Sequence, residues 1–292
     1  FPTGAIHGVV AMMKLLREQY PALHGACVFD DKGATFRDAW YPEYKATRSA
    51  MPPDLALQIE PIEEAVKLLG WPVLKVPGIE ADDAIGTISC MAAKGGFDVV
   101  ISTGDKDLAQ LVNERVTLIN TMSNERLDVA AVAAKFGVPP ERFVDYLALI
   151  GDSVDNVPGV EKVGPKTAAK WILEHGSLEG VIAAAPTMKG VAGENLRKAL
   201  DWLPTGRRLV TVVTDCDLSG HVLGWPEFDA LALRPVDTER LLALYEKYGF
   251  RTFKRELESS IAKGPVAPKD PSVGAPSADA PVLAETVEKH YE

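Results

Sequence analysis

The sequence predicts an α/β protein with a mostly parallel, doubly wound sheet in its first half and a mostly helical second half. Three observations carry that expectation. Short apolar runs alternate with amphipathic helical stretches from the start to about residue 128. From about Val129 onward the apolar spacing becomes helical, through Leu147, Trp171, Leu200 and Leu244. No repeat of fixed period is present, which argues against a solenoid.

The elements follow in order. PTGAIHGVVAMMKLLREQY reads as a helix, with Thr3 as its cap and Ile6, Val9, Val10, Met13 and Leu16 as its buried stripe. GACVFD is a short apolar run closed by Asp30 and reads as a buried strand. WYPEYKATRSAMPP is polar, aromatic and interrupted by proline, so no regular element is expected there. DLALQIEPIEEAVKLLG is an amphipathic helix, with Asp54 near its start and Gly70 past its end. PVLKV then reads as a strand, EADDAIGTISCMAAKG as a helix, and GFDVVIST and VTLINT as strands. The expected division is an α/β core over 1–150 and a helical lobe over 151–260. A Pro/Ala/Ser-rich linker over 261–281 should lead to a resumed apolar rhythm at 282–292 that opens a further domain. Phe1 is not an initiator, so the chain is expected to be a piece of a longer protein.

Composition excludes several classes. Cys27, Cys90 and Cys216 form no CxxC motif, which reads as a reduced, cytosolic chain without a disulfide frame or thiolate metal site. The five histidines show no HxxxH or HExxH spacing, against a zinc hydrolase. No apolar run reaches the roughly 18 residues of a membrane span. The net charge of −10 argues, taken alone, against a nucleic-acid partner. The charges are unevenly placed, however, and basic residues gather at Lys45, Arg48, Lys162, Lys166, Lys170, Arg197 and Lys198.

The acids gather where strands end. Asp30 closes the first strand; Glu80, Asp82 and Asp83 open the helix after PVLKV; Asp105 and Asp107 follow VVISTG; Asp152 and Asp155 follow the helix ERFVDYLALI. In a parallel α/β sheet the carboxyl ends of the strands share one edge, where ligands bind. Each acid taken alone reads as a helix cap or dipole partner. Eight together would repel one another unless cations sit among them. With no His or Cys nearby, hard oxygen ligands select Mg²⁺ or Mn²⁺, and this many carboxylates suit two ions of the kind that cleave phosphate esters.

KVGPKT, residues 162–167, turns between two helical stretches. Gly164 permits a positive φ and Pro165 suits the first helical position. The N–H groups at that helix start, with Lys166 and Lys170, suit a phosphate oxygen; an ordinary αα-hairpin turn is the alternative. Trp40, Tyr41 and Tyr44 supply faces for base stacking, and Lys45 and Arg48 supply cations, unless the segment is simply a solvated loop.

PTGAIHG, VFDDKGATFR, YKATR, EADDAIGT, STGDKDLAQLV, INTM, GDSVDNVPGV and GPKTA stand in the same order as in the 5′ nuclease domain of bacterial DNA polymerase I, a member of the flap endonuclease superfamily, which the chain resembles over about residues 2–255. The resemblance implies a PIN-like core with a helical arch, two Mg²⁺ ions, and a helix–three-turn–helix lobe with a monovalent cation at its turn. It implies hydrolysis of 5′ flaps, nicked duplex and RNA primers in replication and repair, by a cytoplasmic monomer fused to a polymerase. By position, Asp30, Glu80, Asp82 and Asp83 match one metal cluster and Asp105, Asp107, Asp152 and Asp155 the other. Tyr44, Lys45 and Arg48 match the arch residues at the scissile phosphate, and Gly159, Lys162, Gly164, Lys166, Thr167 and Lys170 match the DNA-gripping turn. The family also has a first strand ending in an Asp ligand upstream of PTGAI, which this sequence does not contain, so a catalytically impaired DNA-binding fragment is one alternative. A haloacid-dehalogenase-type phosphatase is another, because VFDDKGAT echoes its nucleophile loop. The echo fails at Lys32, where that family needs an acid.

Overall fold

Residues 1–262 are described by the structure, a computed structural model; the expected linker from Lys263 on and the segment 282–292 lie outside the described residues. The first helix, α1 (Gly4–Gln19), buries Ile6, Val10, Met13 and Leu16, the expected stripe short of Val9. Thr3 makes no side-chain cap; its carbonyl accepts from the His7 amide instead. Strand β1 (Cys27–Phe29) is followed by α2 (Phe36–Trp40), a single helical turn that apolar periodicity could not reveal. Its signal is local: Thr35 accepts from the Arg37 amide while Asp38 accepts from the Thr35 amide, a capping box. Residues 42–47 form turns, with no regular element as expected of that segment, before α3 (Pro53–Leu68) begins with proline at its first position.

Strand β2 (Val73–Lys75) leads into α4 (Ala81–Lys94), and β3 (Val99–Ser102), β4 (Val116–Asn120) and β5 (Glu125–Leu127) complete the core. β1 runs parallel to β2 with Cys27 opposite Val73, and β3 runs parallel to β4 with Val99 opposite Val116. The two pairs are not hydrogen-bonded to each other, so the expected single sheet is two parallel pairs, the second extended by antiparallel β5. No apolar alternation announces β5 (Glu-Arg-Leu), which is fixed by the turn at Asn120.

Helix follows helix thereafter: α5 (Val129–Phe136), capped by Asp128 and ended by Gly137 at φ +77°, and α6 (Phe143–Ile150). A two-residue pair, β6 (Gly151–Asp152) with β7 (Val157–Pro158), separates α6 from α7 (Pro165–His175). Next come α8 (Leu178–Ala184), α9 (Gly190–Ala199), α10 (Leu203–Val210), α11 (Thr238–Lys247) and α12 (Arg251–Ala262). One core runs unbroken from Ile101 through Phe143, Trp171 and Leu203 to Val212, joining the second sheet to helices α5–α10. A second core packs α1 and α3 against α11 and Phe253 of α12, returning the late helices to the first one.

Candidate metal-binding and catalytic site

The carboxyl ends of the parallel strands and the turn after α6 bring most of the predicted acids to one edge. Asp30, just past β1, accepts from the Ala81 amide at 2.8 Å and so sits at the start of α4. Glu80 is the residue preceding that helix, in extended backbone, and Asp82 lies in its first turn. Asp105 and Asp107 flank the entry to a 3₁₀ turn after β3, where Asp105 accepts from the Asp107 amide at 2.8 Å. Asp152 lies in β6 and Asp155 in the turn that follows.

Burial and mutual repulsion both disfavour charge on these acids. Burial, then Asp105, Glu80 and Asp30, push the Asp82 carboxyl up to about 7. Burial, then Asp105 and Asp152, do the same to Asp107, also to about 7. The buried Oδ1 of Asp107 has no hydrogen-bond partner. Every donor atom in this set is a carboxylate oxygen, which suits a hard divalent cation, and the frustrated charge and the orphaned oxygen are what such a cation would relieve. The cage is not closed: among the described residues no three acids, histidines or cysteines are drawn close enough to share one ion.

Three basic or phenolic side chains from residues 41–48 lie across this edge. The buried Tyr44 hydroxyl stands 2.9 Å from both Glu80 Oε2 and Asp155 Oδ2. Burial and the two carboxylates raise its pKa well above the usual phenol range. Lys45 bonds Glu80 and Arg48 bonds Asp155. The segment is held from beneath by the Lys45 amide on the Asp155 carbonyl, 2.9 Å, and by Asn156 on the Glu43 carbonyl, 2.7 Å. The expectation that Tyr44 offers a stacking face is thereby corrected: with 6% of its surface exposed, it is a strut between two acids.

Asp83 has different surroundings from the other predicted acids. It is wholly buried and shares the Arg37 Nη1 with Glu80. Arg37 grips it in a fork, Nη1 to Oδ2 at 2.6 Å and Nη2 to Oδ1 at 2.8 Å, and the amides of Glu80 and Val213 donate to it as well. Arg37, on α2, was missed by reading the sequence. The signal was Asp83 itself, an acid on the buried face of α4 beside Ala84 and Thr87, which requires a buried cation.

The turn between α6 and α7 does not use the freedom that Gly164 offers. Pro165 takes the first helical position, but Gly164 is extended (φ −101°), and the left-handed residue is Lys162 (φ +63°). Gly151 and Gly159 meet back to back: a Cβ on Gly159 would lie 2.2 Å from the Ile150 carbonyl carbon, so no larger residue fits. Lys162, Lys166 and Lys170 are exposed along the turn and the start of α7, and Thr167 is half-buried.

A parallel-stranded core with an acid-lined edge, joined to a helical lobe, is the architecture of the 5′–3′ exonuclease class. Residues 1–137 match the N-terminal resolvase-like domain of 5′–3′ exonucleases and residues 138–237 their C-terminal SAM fold. DNA polymerase I of Pseudomonas aeruginosa is 44% identical over 268 residues, covering 88% of this chain and 28% of that protein. The 5′–3′ exonuclease of Aquifex aeolicus is 41% identical over 219 residues, covering 75% of this chain and 74% of the relative. Among solved structures, the T5 5′-exonuclease with divalent zinc ions bound superposes with a TM-score of 0.64 at 25% identity, covering 73% of this chain and 83% of that one. The chain belongs to the 5′–3′ exonuclease family, and the phosphatase alternative falls with that assignment. It spans 28% of the length of the Pseudomonas polymerase.

Proposed function

We propose that the chain cleaves DNA, and RNA primers paired to it, near free 5′ ends at flaps and nicks, using two divalent ions, Mg²⁺ or Mn²⁺, at the acidic edge. Asp30, Glu80, Asp82, Asp105, Asp107, Asp152 and Asp155 would hold them. The observation that carries this reading is the electrostatic frustration of the edge: two aspartates pushed to about 7 and a buried carboxylate oxygen without a partner. Such ions, when bound, supply an activated water and stabilise the leaving oxygen.

The chain's own residues do the rest. Lys45 and Arg48, already beside the acids, would meet the charge that builds on the phosphoryl oxygens. Tyr44 keeps Glu80 and Asp155 in fixed relation. Gly159, Lys162, Gly164, Lys166, Thr167 and Lys170 present a tight basic turn and a helix start, which suit the sugar-phosphate backbone away from the scissile bond. Support for the polyanion comes from the family assignment and from the divalent ions bound to the T5 enzyme. By the same reasoning the chain is the nuclease part of a longer polymerase I.

Asp82→Ala and Asp107→Ala are the deciding variants. Cleavage of a labelled 5′-flap substrate in Mg²⁺ should fall by at least roughly a thousandfold, with flap affinity in Ca²⁺ within about threefold of the parent. Cleavage retained in both variants would refute the assignment.

A further inference from the structure

Arg37 is 2% exposed, and its charge is buried among three stretches of chain, α2, the start of α4 and residues 209–211. The guanidinium has five N–H donors. Nε reaches the Leu209 carbonyl at 3.0 Å; Nη1 reaches Asp83 at 2.6 Å and Glu80 Oε2 at 2.9 Å; Nη2 reaches Asp83 at 2.8 Å and the Thr211 carbonyl at 2.7 Å. Four hydrogen bonds thus go to four oxygens, and the ion pair with Glu80 is the fifth contact. Asp83 is equally saturated, with two bonds from Arg37, one from the Glu80 amide at 3.2 Å and one from the Val213 amide at 2.9 Å. A carboxylate has about four lone-pair sites. None is left for an ion, and freeing one would strand a buried guanidinium, which is strongly destabilising.

Glu80 is treated differently. Its Oε2 takes both Arg37 and Tyr44, which fixes the carboxylate plane, while its Oε1 faces Lys45 on the acidic edge. We propose that Arg37 is a positioning residue for metal binding: it orients Glu80 toward the ions from behind, with Asp83 as its permanent counter-ion and not a metal ligand. Arg37 also ties the end of α10 to the acidic edge through the carbonyls of Leu209 and Thr211, so the helical lobe and the site share one buried charge. The inference rests on the reading of the acidic edge as the place where ions bind. It separates two neighbours in one tripeptide, Asp82 and Asp83, that the sequence alone makes equivalent.

The test uses the full chain and counts bound Mn²⁺ directly, by electron paramagnetic resonance of the free ion, alongside thermal melting in chelator. Glu80→Gln should weaken Mn²⁺ binding about tenfold or more, since a ligand is lost. Asp83→Asn should lower the melting temperature yet leave Mn²⁺ affinity within about threefold. Because an Arg37 single variant strands Asp83, the informative change is the volume-matched pair Arg37→Met with Asp83→Leu, a swap that buried ion pairs tolerate. That pair should fold and still bind Mn²⁺ about tenfold more weakly, because the support behind Glu80 is gone. An Asp83→Asn variant that loses Mn²⁺ as severely as Glu80→Gln, or a double variant that binds it as the parent does, would overturn the proposal. A parent chain that binds Mn²⁺ but leaves every DNA substrate intact would sink the nuclease reading and leave this one standing.

Discussion

Asp82 and Asp107 set the pH behaviour of the molecule. Both titrate at about 7 in the folded chain, against about 3.9 for an unfolded aspartate. The folded state therefore holds these protons more tightly than the unfolded state. The stability they confer is complete below about pH 4 and is lost as pH rises through 7. Melting temperatures recorded in chelator should fall between pH 5 and pH 8, and a divalent cation should restore more at pH 8 than at pH 5. Asp107→Asn removes the frustrated charge, so at pH 8 in chelator it should melt higher than the parent, by about 2–4 °C for each kcal/mol relieved, while abolishing cleavage. A variant that melts lower would show that Asp107 is better accommodated than its burial implies. The residue types at the edge were legible in the sequence because strand ends in a parallel sheet converge. Which oxygen faces which partner was not, since Asp83 differs from Asp82 only by a rotation of 100° about a helix axis.

At the scale of elements, the turn from α6 to α7 shows where sequence reading works and where it stops. Pro165 and the apolar spacing after it place the start of α7 correctly, because proline is compatible with the first helical turn. The left-handed backbone falls on Lys162 and not on Gly164, since the Gly151–Gly159 contact fixes the path of the chain before it reaches Gly164. That contact is tertiary and leaves no trace in a local window. Helix α2 was invisible for the opposite reason, being a single capped turn too short to show a period. If the turn grips DNA as proposed, Lys166→Ala should weaken duplex binding similarly on all sequences. It should also lower the slope of log affinity against log salt by about 1, as for one lost phosphate contact. An unchanged slope would place Lys166 outside the interface.

For the whole molecule, an α/β first half is followed by helices as expected, but the cores divide differently from the linear order. The buried cluster from Ile101 to Val212 crosses residue 150 without interruption, and α11 and α12 pack on α1. Long-range closure of this kind depends on which apolar faces meet, and periodicity gives the faces without their pairing. The chain's net charge of −10 is likewise a sum that hides its arrangement: the basic residues that matter stand within reach of the acids or along one turn.

The struts from residues 44–48 onto Glu80 and Asp155 carry one more consequence. The oxygens that tether this segment are ones proposed to take up ions, so tether and ion draw on a common resource, and strengthening either must weaken the other. Trypsin, which cuts after Lys45 and Arg48, should therefore nick the chain faster as Mn²⁺ is raised. Its rate against ion concentration would follow the occupancy of the site without any nucleic acid present.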